Sequence, residues 1–283
     1  MARPFLSLLL AVGATVAGLS LTAHGAAAHS ATTREPGGFD LPGLALSSAG
    51  LLLVGLAAFS LAIHWVGALV AGSVHALLGF LALVSPFGNP FGGGIFSPVF
   101  QITRMLSAVD ARIGEAATVF YFSGTAIVIG AFLAGAALGI RSRRLTGASS
   151  SKAVLVSSFL GAGLLLGATM LLLVAGGTFA RLIMQAMRYD ASLAVFGVIA
   201  GLLAGLAGIL LRWSSVGVFL AAVIVIVVGA AAFLAAPDVP SWFPGALLAQ
   251  QGLLLVVGVT ALGAAIGGTV RDRSPVPADA VDL

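Results

Sequence analysis

No charged residue occurs between Asp40 and Arg104, and comparable uncharged apolar stretches follow Glu115, Lys152, Arg212 and Asp238. A water-soluble fold cannot bury segments of that length, whereas a bilayer core about 30 Å thick needs about 20 consecutive apolar residues in helical form. This one feature selects a helical membrane protein. With 60% hydrophobic residues, 8% charged residues and a mean hydropathy of +1.16, the 283-residue chain lies outside the soluble range throughout.

Spans are expected near 5–27, 44–63, 66–84, 117–140, 153–175, 191–211, 214–236 and 246–268. The block 44–84 is too long for one crossing, and the basic residues decide how it divides. With a hairpin turning at His64, eight basic residues (Arg3, Arg141, Arg143, Arg144, Lys152, Arg212, Arg271 and Arg273) fall on one face and five on the other. The richer face is cytoplasmic by the positive-inside rule. A single crossing would put the Arg141–Arg144 cluster outside. The expectation is therefore a bacterial inner-membrane protein with eight spans and both termini cytoplasmic. Twelve of thirteen basic residues being arginine fits a GC-rich bacterial gene.

Sliding the chain by 150 residues pairs LLVGLAAFSLAIHWVG (52–67) with LLAGLAGILLRWSSVG (202–217), and residues 52–84 contain 11 identities over 33 positions. The same offset sets Asp40 against Asp190. An offset of 128 pairs GAFLAGAALG (130–139) with GVTALGAAIG (258–267) and Ser123 with Gln251. The reading is two tandem, parallel four-helix repeats. The first occupies 1–140, a cytoplasmic linker 141–152, the second repeat 153–270 and a cytoplasmic tail 271–283. An even number of spans per repeat makes the two halves parallel rather than inverted.

The amino terminus also has the features of a secretion signal, with Arg3, an apolar run and a small-residue site at Ala26–Ala28. Cleavage there would leave His29 at an external amino terminus. The retained first span is favoured, because the apolar run is long for a signal and has a counterpart in 153–175.

The chain contains no cysteine, which excludes disulfides and thiolate chemistry. No Asp, Glu, Lys or Arg falls inside a span, whereas proton- or ion-coupled carriers usually bury such a group, which speaks against that class. No hydrolase, zinc, P-loop or dinucleotide motif is present. The basic clusters lack interleaved aromatic residues, so nucleic acid is not an expected partner. His75 lies mid-span, but no second histidine shares its depth, so neither metal nor other cofactor is expected. The candidate ligand or cleft residues are His75, Tyr121, Ser123, Thr125, Gln250 and Gln251. No catalytic residue is assigned.

In the longest outer loop, 85–116, Ser97 and Pro98 are placed to start a helix over 98–113, with Val99, Ile102, Leu106, Val109 and Ile113 on one face. Residues 178–190 have a similar pattern. Ile102, Leu106 and Val109 are the candidate partner-docking residues, and outer-face amphipathic helices complete the expected architecture. The partners expected are the lipid bilayer and a second membrane protein. The functional expectation is a non-enzymatic scaffold or accessory subunit. The alternative is an uncoupled carrier or exporter of a small or lipophilic molecule through a cleft between the halves.

Overall fold

The computed structural model describes residues 2–32, 40–84, 98–146, 151–186, 188–235 and 245–273. The described residues form an all-α multi-pass membrane fold without strands. Lipid offers no hydrogen-bond partner to a backbone, so each apolar run closes its own ladder as a helix. In order these are α1 (Ala2–Thr32), α2 (Leu41–Phe59), α3 (Trp65–Val84), α4 (Pro98–Val109), α5 (Ala111–Phe122), α6 (Thr125–Thr146), α7 (Ser151–Leu171), α8 (Gly177–Ala186), α9 (Ala191–Leu210), α10 (Val216–Leu234), α11 (Ala246–Gln250) and α12 (Leu253–Arg273).

Eight of the described helical segments are long and apolar enough to cross a membrane. They are α1, α2 with its following turn, α3, α6, α7 continued through α8, α9, α10 and α12. The hairpin at His64 is present. A short 3-10 turn at Ser60–Ala62 ends α2, the His64 carbonyl accepts the Ser7 hydroxyl at 2.6 Å, and α3 begins at Trp65. Asp40 and Asp190 both serve as N-caps, accepting the amides of Gly43 and of Ser192 and Leu193.

The helices α6 and α12 form the centre. In their crossing windows 72% and 67% of residues are buried, against 39% or less for the other six. Helix α1 packs on α2 and α3, as α7 packs on α9 and α10. Helix α6 packs on α3 and crosses to α9, while α12 packs on α10 and crosses to α2. The close contacts match in detail. A methyl on Gly135 would collide with the Gly205 carbonyl, and one on Gly263 with the Gly55 carbonyl. Gly130 sits against Ala76 as Gly258 sits against Ile226. In lipid, small residues at such crossings let backbones approach and gain dispersion contact.

Several expected elements differ from what is found. The spans expected as continuous over 117–140 and 246–268 are interrupted. Helix α5 stops at Ser123–Gly124 before α6, and α11 stops at Gln251–Gly252 before α12. Gly124 and Gly252 have φ of +82° and +64°, a region costly for any residue with a Cβ, so the helix cannot run through. The helix expected over 98–113 divides at Asp110, whose carboxylate takes the amides of Arg112 and Ile113 and starts α5. Residues 178–190 are not a separate surface helix. Of these, 178–186 belong to α8, which continues from α7 through a π-helical turn at Leu172–Gly176, and residue 187 lies outside the described residues. Ser97, the rest of loop 85–97, linker residues 147–150 and tail residues 274–283 lie outside the described residues.

Candidate functional site

The interruptions deliver polar side chains into the apolar interior. At each, the glycine amide bonds back three residues, Gly124 to Tyr121 at 3.2 Å and Gly252 to Ala249 at 3.0 Å. Each glycine carbonyl then accepts the first amide of the next helical ladder, from Val128 and Val256. The backbones therefore follow the same path at positions 128 residues apart.

The side chains do not follow the same pattern. In the first interruption the Ser123 hydroxyl bonds the Thr125 hydroxyl at 2.7 Å and accepts the Thr125 amide at 3.3 Å, with both residues fully buried. Its backbone is packed over by the π turn, where Gly176 leaves no room for a methyl beside the Ser123 carbonyl. In the second interruption Gln251 is 9% exposed, and its Oε1 is buried without a hydrogen-bond partner.

Gln251 borders a cavity of about 140 Å³ between the two halves of the chain. From the first half, Val16, Leu19, Ser20, Thr22 and Ala23 of α1, His75 of α3, Leu106 of α4, and Ala116, Phe120 and Tyr121 of α5 are among the residues of the wall. The second half adds Gln251, Leu253 and Val256. His75 Nδ1 is also buried without a hydrogen-bond partner. Its ring meets Phe120 edge-on with centroids 5.7 Å apart and lies 6.4 Å from Tyr121, while Phe120 and Tyr121 are 5.1 Å apart. This three-ring cluster gives the cavity one aromatic side; the α1 and α12 sides are mostly aliphatic. A void of about 10 Å³ shares Leu19, Phe120 and Val256 with it and reaches Thr15 and Thr260. Both threonines are satisfied by carbonyls of their own helices.

At the edge of the wall, His24 Nδ1 lies 3.8 Å from Asp110 Oδ2, joining α1 to the bend between α4 and α5. The backbone amides of Arg112 and Ile113 hold the Asp110 carboxyl below its usual pKa.

Of the six residues expected from sequence, the structure brings His75, Tyr121 and Gln251 to one cavity. Ser123 and Thr125 satisfy each other, and Gln250 does not line the cavity. The cavity between the halves thus lies beside Gln251 and not beside Ser123. Leu106, expected at a docking surface, instead lines this cavity, while Ile102 and Val109 are exposed. The α1 wall and the α5 residues Ala116 and Phe120 were not anticipated from the sequence. Among the described residues no group of three histidine or acidic side chains is placed to hold a metal ion. No family model, curated protein or solved structure matches the chain.

Proposed function

We propose that the protein is a non-enzymatic carrier that takes a small, largely apolar molecule into the cavity between its halves. One observation carries the reading: Gln251 and His75 line one mostly apolar cavity, and each carries a buried polar atom, Oε1 and Nδ1, without a hydrogen-bond partner. A buried polar group left unsatisfied costs about 1–3 kcal/mol. Two such groups around one space favour a site completed by something that enters it. An interrupted helix at the site adds support, since carriers commonly build substrate sites from discontinuous spans at the meeting of their repeats. The matched interruptions and glycine seams support two tandem four-helix units with 1–140 and 153–270 as their extents. The arginine distribution supports a cytoplasmic placement of both termini.

The test is chemical extraction of the purified protein followed by mass spectrometry, with an Ala116→Leu and Ala117→Leu double variant as the filled-cavity control. A small molecule recovered near one per chain, lost from the variant and exchanged by reconstituted vesicles, is the expected result. Failure to recover any small molecule, together with no binding of small apolar probes, would rule the reading out.

A second reading, an accessory subunit, has its own observation. Met105 and Val109 on α4 are 71% and 84% exposed, an apolar face that another membrane protein could cover.

A further inference from the structure

The cavity wall carries no Asp, Glu, Lys or Arg, although it lies beside the His24–Asp110 pair. An ion entering such a space would lose its hydration and meet no counter-charge, which is prohibitive unless it is neutralised. An occupant of this wall is therefore uncharged.

The polar requirement is equally specific. Gln251 presents an acceptor at Oε1, and a neutral imidazole presents at Nδ1 either an acceptor or a donor, according to tautomer. A hydroxyl, which donates and accepts at once, can bond Gln251 Oε1 as a donor and His75 Nδ1 in either tautomer. A pure hydrocarbon leaves both unsatisfied. The rest of the wall is mostly apolar, with Leu19, Val16 and Val256 beside the rings of Phe120 and Tyr121; of its two other hydroxyl residues on α1, Ser20 and Thr22, the Thr22 hydroxyl is satisfied by the Gly18 carbonyl. In size, an apolar protein cavity of about 150 Å³ takes a molecule such as benzene. The cavity of about 140 Å³ is on that scale.

We infer that the site selects a neutral, single-ring-sized lipophilic molecule bearing a hydroxyl, with the hydroxyl held between Gln251 and His75. This rests on the carrier reading and names its substrate class. The counterpart interruption at Ser123 offers no second site of this kind, because its hydroxyl is already paired with Thr125 and its carbonyl is covered at Gly176.

The experiment measures binding of four probes of matched size to the full chain in lipid nanodiscs, with empty nanodiscs subtracted: benzyl alcohol, toluene, benzyltrimethylammonium and benzoate. Benzyl alcohol is expected to bind at least about tenfold more tightly than toluene, the margin of one net hydrogen bond, and the two ions not at all. Gln251→Leu and His75→Phe, which keep volume, are each expected to reduce that preference, and together to abolish it. Equal affinity for alcohol and toluene overturns the hydroxyl assignment and leaves the carrier reading standing. Tightest binding of either ion overturns the neutral assignment. Binding of none of the four overturns both readings. The probe comparison on the unaltered protein decides the matter even where a variant fails to fold.

Discussion

Gly135 on α6 packs against the carbonyl oxygen of Gly205 on α9, a contact so close that a single methyl would displace backbone. Gly163, on α7, has nothing within 4 Å of where its Cβ would stand. Alanine at 135 is expected to cost about 1–3 kcal/mol by overpacking the seam, and alanine at 163 to stay within about 0.5 kcal/mol of the parent. Alanine at 124 meets only ordinary contacts but a φ of +82°, so its expected cost of about 1–2 kcal/mol is conformational. Thermal unfolding in a common detergent, followed by loss of monodispersity, ranks the three. An equal effect at 135 and 163 would contradict the seam.

Acid sensitivity should arise at the caps. The Asp110 carboxylate is held below its usual pKa by the amides of Arg112 and Ile113, and Asp190 by the Ser192 hydroxyl and the Leu193 amide. A group with a depressed folded pKa contributes stability that is complete above its unfolded value, about 3.9, and lost as pH falls through the folded value. Unfolding temperature is therefore expected to fall below about pH 4. Asp110→Asn and Asp190→Asn should flatten that fall while changing little at pH 7, since asparagine also caps. An unchanged acid profile in the double variant would remove the caps from the explanation.

Orientation can be read with thiol chemistry in a chain that has no native cysteine. Single cysteines at 64, 148 and 274 are expected to resist an impermeant reagent in intact cells and to react after permeabilisation. Ready labelling from outside at any of the three would reverse the assigned sides.

The exposed face of α4 separates the two functional readings. Ile102→Ser with Val109→Ser removes apolar surface that contacts no cavity, whereas Leu106→Ser alters the cavity wall itself. The exposed pair is expected to leave the protein monodisperse and small-molecule binding unchanged, with any co-purifying membrane protein lost. Leu106→Ser is expected to weaken small-molecule binding. Aggregation of the exposed-pair variant would place that face in the fold instead.

The hairpin at His64 was legible because charge distribution and the counterpart Arg212 both demanded it. Asp40 and Asp190 were legible as a pair at one offset, and their role as caps came from the structure. The interruptions were not. In an apolar run glycine reads first as a packing residue, and nothing in hydropathy distinguishes Gly124 or Gly252 from Gly135. Their common signal was a polar residue directly before each, Ser123 and Gln251. Asp110 was equally ambiguous, since an acidic residue on the polar side of a helix and an N-cap between two helices give the same periodicity. His75, Tyr121 and Gln251 come from three segments, and only packing shows that they share a space while Ser123 and Thr125 do not.

The crossed seams, α6 on α9 and α12 on α2, have a mechanical consequence. Each half grips the other twice, so rocking the halves as rigid bodies would break both seams together. Helix α5 is tied more lightly, and at its two ends lie Asp110 and the positive-φ Gly124, each a point where the chain can swivel. Exchange of the cavity's contents would then proceed through a hinged door, with the frame formed by both halves standing still.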